Sequence, residues 1–354
     1  MKKNFETNSR FFEEIKGPFL ATIGGILVGG IIMVLAGYDP VIGYKALIDG
    51  AFGGKNYANL VGTLVRSAPI IGLAIAASIA FKAGFFNIGI EGQMVLGAVT
   101  STLVAIYSPF PLMITAVLSV ISAILVSGAY ALFSAWMDVR YKIPIFISTL
   151  LLNYPANYFT NYLVNNPFRD RTTGMVQTEK IPEGLQIPKI IPSTQFHAGM
   201  LLIPVLVLIV FFVFRYTLNG YKIRTCGFNK EFLKYGGIGT KKLEYRVMFV
   251  SGALAGLIGL LEVFGTRYRY IPGMLTTPLY AWTAVTTAIL ANSNPIGVFF
   301  AGLLLAAIQN GGFGMERSSD VPRELSRVIQ AIIIMIVCAA TGLKSGRSKL
   351  WKED

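Results

Sequence analysis

In "FKAGFFNIGIEGQ", residues 81–93, Asn87, Glu91 and Gln93 sit among glycines between two long apolar runs. A carboxylate in lipid costs free energy unless it is paired or faces a cavity, so Glu91 needs a partner: a buried arginine, or a hydroxyl of a passing solute. A second polar set follows at 153–162. Asn153, Asn157 and Asn161 recur every four residues and so share one helical face, with Tyr154, Tyr158 and Tyr162 immediately beside them. Amide donors and acceptors next to aromatic planes suit a polar, ring-bearing solute such as a sugar or nucleoside. The same amides can equally hold neighbouring helices together.

Little else in the chain could do chemistry. His197 stands alone, and Cys226 and Cys338 make no metal, haem or disulfide pattern. There is no P-loop, G-x-S-x-G, H-E-x-x-H or kinase signature, so no cofactor is expected on this chain and any ATP-driven step belongs to a partner. A membrane enzyme would need a cluster of acids or histidines near one interface, which the single histidine argues against.

Composition places these residues in a bilayer. Hydrophobic residues make up 54% of the chain and charged ones 14%, about half the charged share of a soluble domain. The net charge of +13 could signal nucleic acid, but the lysines and arginines lie between long uncharged runs instead of on one basic surface. No nucleic-acid partner is expected.

A bilayer-crossing helix needs roughly 20 mainly apolar residues. Such runs occur near 18–37, 60–81, 90–107, 111–137, 143–164, 198–215, 247–265, 275–291, 296–311 and 325–343, with "SPFP" at 108–111 and "NSNP" at 292–295 dividing two long uncharged stretches. The fold class predicted is an all-α polytopic membrane protein of about ten transmembrane helices, with 1–354 as a single transmembrane domain. With both termini cytoplasmic, lysine and arginine favour the inside by roughly two to one. Residues 1–17 then form a cytoplasmic segment, 165–197 the main external loop, 38–59 a shorter external piece, 217–246 a cytoplasmic loop and 344–354 a basic cytoplasmic tail. The first span lacks an A-x-A cleavage pattern and is expected to be retained.

Other polar residues within the spans have two readings each. Glu262, with Arg267 and Arg269 beyond it, is expected to form an external ion pair. Gln309 and Asn310 before "GGFG" form a gate or a simple helix end. Tyr280 and Trp282 belong to an interfacial aromatic belt or line a pathway. Arg66 and Arg327 need partners or a wet cavity, and Glu91 is one conceivable partner. The glycines of "GALAGLIG", 252–259, point to close helix packing. In the loop 217–246, a basic start, the helix-compatible "NKEFLKY", a glycine turn and a basic exit suit docking into a groove on a cytosolic protein, or a solvated loop that only sets orientation.

The segments "FNIGIEGQMVLGA" (86–98), "IPIFISTLLLNY" (143–154), "CGFNKEFLKYGGIGTKK" (226–242), "SGALAGLIGLLEV" (251–263) and "NPIGVFFAGLLLAAIQNGG" (294–312) come in an order that resembles the permease subunits of bacterial ABC importers. They are most similar to the nucleoside (guanosine-type) branch of the group that also handles simple sugars and branched-chain amino acids, and the resemblance covers most of the chain.

The resemblance implies a type II-like ABC importer permease in the bacterial plasma membrane, working by alternating access. It implies a homo- or heterodimer of permeases, cytosolic ATP-binding subunits carrying the ATP and magnesium, and an extracytoplasmic solute-binding lipoprotein. Gly236, Gly237, Ile238 and Gly239 match the turn of the ATPase-coupling loop, and Arg224 and Gly227 are retained before it. Asn87, Glu91, Gln93, Asn153 and Asn157 are the solute-contacting residues expected. There are two departures from the pattern: "RTCGFNKEF" replaces the usual R-A-V-G-x-N-P, and "YAWTAVTTAILAN" is bulkier than the glycine-rich eighth span of relatives. The alternatives are a ribose-like sugar permease, or an ion-coupled secondary transporter, for which an internal inverted repeat would be expected and none is convincing.

Overall fold

The computed structural model describes residues 23–54, 57–319, 321–322, 324–332 and 335–336. The expected amino-terminal segment 1–17, the basic tail 344–354, Cys338 and the ends of the first and last expected spans lie outside the described residues.

The described chain is helical, and its extended pairing is limited to one isolated bridge, Lys189 with His197. In order, the helices are α1 (Ile23–Leu35), α2 (Pro40–Phe52), α3 (Ala58–Lys82), α4 (Ile90–Tyr107), α5 (Leu112–Tyr141), α6 (Ile145–Asn165), α7 (Leu202–Tyr216), α8 (Leu218–Phe228), α9 (Lys230–Tyr235), α10 (Thr240–Glu262), α11 (Tyr280–Leu290) and α12 (Pro295–Ser318). A further helical stretch, α13, covers 324–332. A π-helical turn, Val263–Arg267, continues α10.

Among the described residues six segments are long and apolar enough to cross a membrane: α3, α4, α5, Ala198–Tyr216, Thr240–Arg267 and α12. The helix α6 is 21 residues long but is not among them, because Asn153, Asn157, Asn161 and Asn165 lower its hydropathy. Shorter apolar helices occupy 23–35 and 280–290.

By contacts the chain divides into two compact units, one of the residues up to Thr63 and from Leu304, the other Leu64–Leu303. In the first, Asp39 caps α2 by accepting from the Val41 and Ile42 amides at 2.7 and 3.3 Å. Asn310 donates to Gly50 O, Asn59 O and Thr63 Oγ1 at 3.0–3.1 Å, so it ties α12 to α2 and to the start of α3.

The second unit is built around α4, α5 and α10. Helix α10 lies mainly against α5 and α4, and the small residues predicted for packing explain how. A Cβ at Gly256 would overlap Ser127, and one at Gly97 would overlap the Gly256 backbone, so the helices meet at backbone distance. Helices stop where the sequence dictates. Helix α5 follows Pro111 and ends at Lys142 in the left-handed region (φ 62°), and α6 starts after Pro144. Helix α3 ends at Gly84 (φ +83°), where the Phe85 amide reaches back to Ala80 O at 3.0 Å.

The 165–197 segment is a loop with one 3₁₀ turn, Glu183–Leu185. It is laced to the chain after α10 by Ile187 N to Phe264 O (2.9 Å), Ile181 N to Tyr268 O (2.8 Å) and Thr178 N to Tyr270 O (3.0 Å). Arg269 does not pair with Glu262: it approaches Asp170 of this loop at 3.9 Å. Glu262 is buried, and the opposite charge acting on it is Arg66.

Candidate functional site

Over 85–89 the turn from α3 to α4 is neither helix nor strand, with Phe85 N bonded to Ala80 O and Asn87 N to Phe85 O at 3.0 Å, and the remaining polar backbone groups of such a segment in a membrane protein need partners inside the protein or a cavity. Side chains supply them. Asn87 and Gln93 form a reciprocal pair, Asn87 Nδ2 to Gln93 Oε1 at 2.9 Å and Gln93 Nε2 to Asn87 Oδ1 at 3.0 Å. Asn87 also donates to Ser251 Oγ (2.9 Å), and its Oδ1 accepts from the Gly89 amide (3.0 Å). Ser251 passes the chain on to Ala76 O at 2.7 Å, and Ser127 donates to Gln93 O at 2.7 Å.

One face of α6 supplies the rest. Thr149 Oγ1 accepts from the Ile88 amide at 3.2 Å. Asn153, one turn on, accepts from the Gly92 amide at 2.9 Å and donates to Ile88 O at 3.1 Å. Asn157, a further turn on, donates to Glu91 Oε1 at 2.9 Å. Side chains of α6 thus satisfy the buried amino end of α4, whose own N-cap, Gly89, has no side chain to do so.

The five expected solute-facing residues therefore fall into two environments. Asn87 and Gln93 are 0% and 1% exposed, and Asn153 is buried; their polar atoms are used within the chain. Glu91 and Asn157 are only half-buried and are bonded to each other. The Trp282 indole lies close to Glu91, so the groups beside its carboxylate are neutral where an arginine was one expectation. Trp282 is 45% exposed, and Tyr154 and Tyr158 on α6 are 61% and 73% exposed. Asn157, Glu91 and Trp282 thus adjoin on one accessible flank. Tyr270 is buried, and its amide donates to Thr178 Oγ1 at 3.0 Å.

Sequence reading missed Thr149, Ser127 and Ser251. Thr149 could have been found, since it extends the asparagine stripe by one turn; nothing in the sequence marks the two serines as partners of the turn.

The 217–246 segment forms a helical hairpin. Thr217 caps α8 and Asn229 caps α9, the latter accepting from the Glu231 and Phe232 amides at 2.9 and 3.0 Å. The turn Gly236–Gly239 follows, with Gly237 at φ +73°. Gly236, Gly237 and Gly239 are exposed and Ile238 half-buried, while Arg224 is half-buried on α8. Phe228, Phe232 and Tyr235 are 88%, 61% and 92% exposed. Gly227 turns one side to the chain itself, where a Cβ would overlap Lys82 O.

Comparison with known proteins matches the sequence to transport subunits. The guanosine ABC transporter permease NupP of Bacillus subtilis is 30% identical over 340 residues, 95% of this chain and 96% of that protein. The nucleoside ABC transporter permease NupB of Lactococcus lactis is 29% identical over 332 residues, 90% and 89%. The glucose ABC transporter permease TsgB13 of Haloferax volcanii is 28% identical over 340 residues, 93% and 88%. No solved structure matches the chain. The family model described as branched-chain amino acid transport system, permease component, matches residues 59–338. The chain is thus a multi-pass plasma-membrane protein that belongs to this family of ABC transporter permease subunits.

Proposed function

We propose that this chain is the permease subunit of an ATP-driven importer and forms the translocation pathway for nucleosides. The observation that carries the reading is the half-buried Glu91–Asn157 pair beside the Trp282 ring. A carboxylate and an amide can exchange hydrogen bonds with ribose hydroxyls or base edges, and an aromatic face can stack on the base. Similarity along nearly the whole length of NupP supports the same solute class.

Ten spans with both termini cytoplasmic provide the frame, a second permease completes the pathway, and a solute-binding lipoprotein delivers the solute outside. ATP and magnesium belong to separate cytosolic subunits docked on the 217–246 loop, whose exposed aromatics and glycine turn suit a protein groove. Closing of the ATPases tilts the spans and opens the pathway to one side at a time.

A simple-sugar permease is the second reading, favoured by TsgB13 and by the polar half of the same flank, which needs no base. Uptake of labelled guanosine by cells producing the complete transporter, competed with adenosine, uridine, ribose and glucose, separates the two. Competition by nucleosides alone supports the first reading, and competition by glucose or ribose alone overturns it.

A further inference from the structure

We infer that the α3–α4 turn is the element on which the cytoplasmic loop acts, and that Gly227 and Lys230 are the positioning residues of that contact. The inference rests on the reading of 217–246 as the ATPase-coupling loop and adds where the motion goes.

Three contacts join loop and turn. The Gly227 backbone lies directly on the Lys82 carbonyl, leaving no room for a side chain. A Cβ on Gly84, held at φ +83°, would stand 3.5 Å from Gly227 Cα. Lys230 Nζ sits 4.4 Å from the Phe85 ring centroid, within cation–π range. The turn is also tied elsewhere, Lys82 Nζ donating to Asn292 O at 3.4 Å. Asn292 and Ser293 hold φ of 49° and 54°, so this α11–α12 corner is itself a sharp turn.

Backbone packed on backbone cannot be compressed, so displacement of α8 must carry the turn with it. Beyond the turn, Asn87 and Gln93 are locked to α10 through Ser251, and Asn153 fixes Ile88 and Gly92 to α6. The outermost and most accessible link is Asn157 to Glu91. The hairpin thus has two working sides: Phe232, Tyr235 and the 236–239 turn face outward, and Gly227 and Lys230 face the chain's own turn. Gly227 and Lys230 act through the turn on the Glu91–Asn157 pair, not on the ATPase.

The experiment uses the complete transporter in lipid, with Cys226→Ser and Cys338→Ser and a spin label at exposed Phe159→Cys on α6. The label's response to ATP and vanadate and the rate of ATP hydrolysis are read together. Lys230→Gln should retain hydrolysis within about twofold while the α6 response falls roughly tenfold, and Gly227→Ala, whose Cβ must displace the Lys82 carbonyl, should lose the same response. Phe85→Leu should reproduce the Lys230→Gln effect and decides the matter where Gly227→Ala fails to assemble. A full response in Lys230→Gln and Phe85→Leu overturns the inference, as does loss of ATPase association in these variants, which would make Lys230 a partner contact. Bulky replacement of Gly236 and Gly237 tests the underlying reading separately: retained ATPase association there rejects the coupling-loop assignment, whatever the Lys230 result.

Discussion

Asn87 and Gln93 exchange hydrogen bonds in both directions, at 2.9 and 3.0 Å, with neither side chain open to solvent. Such a closed amide pair stabilises the turn it sits in and has little capacity left for a solute. Asn87→Ala strands the Gln93 side-chain amide and the Gly89 N–H, and each unsatisfied buried group costs about 1–3 kcal/mol. The expected outcome is a lower yield of monodisperse protein and a lower unfolding temperature in detergent, with the solute preference of the surviving fraction unchanged. A stable Asn87→Ala variant with altered solute selectivity would place this pair in the pathway.

Glu91→Gln should behave in the opposite way. The glutamine oxygen still accepts from Asn157 Nδ2, so assembly and stability are retained, while the negative charge facing the Trp282 flank is lost. Uptake is expected to fall roughly tenfold, equivalent to about 1.4 kcal/mol of interaction. Asn153→Ala leaves the Gly92 amide and Ile88 carbonyl unpaired and should lower stability first. Parallel uptake and thermal-stability measurements on the two variants distinguish the solute-facing residue from the structural one.

Much of this arrangement was legible in the sequence because its signals are local. The spacing of Asn153, Asn157 and Asn161 pointed to the helical face, "SPFP" at 108–111 to the start of α5, and the glycines of 252–259 to the close crossing. Burial was not legible. Asn87, four residues from Glu91 and as polar as Asn157, is enclosed only because Ser251 arrives from a distant helix. The pairing of Arg269 with Asp170 was likewise hidden, because the loop that carries Asp170 folds back over many residues onto the chain after α10.

Asn310 was read as a gate or a helix end, and the three hydrogen bonds it donates give it a structural duty within its own unit. Asn310→Ala should cost about 1–3 kcal/mol, since Gly50 and Asn59 carbonyls and the Thr63 hydroxyl each lose a donor. Faster amide exchange at 46–63, followed by mass spectrometry, with exchange of the α4 and α10 amides unaltered, is the expected pattern. Uniform acceleration throughout the chain would show that the effect is global.

The imidazole of His197 gives a pH dependence whose sign follows from its surroundings. It is 1% exposed, neither ring nitrogen has a partner, and the ring lies so close to Gly265 that a Cβ there would overlap it. Burial, with the nearby Lys189 charge adding to it, pushes its pKa down to about 4 from the usual 6.5. The unfolded chain therefore binds this proton more readily than the folded one. The neutral histidine's contribution is fully present above pH 6.5, is lost progressively as pH falls from 6.5 to 4, and changes no further below that. Its full extent is at most about 3 kcal/mol. Thermal unfolding of detergent-purified protein between pH 4 and 7.5 should show this slope. His197→Phe keeps a ring against Gly265 without a titrating group or orphaned nitrogens, so it should flatten the slope and raise stability at pH 5. An unchanged slope in His197→Phe would assign the pH dependence to another group.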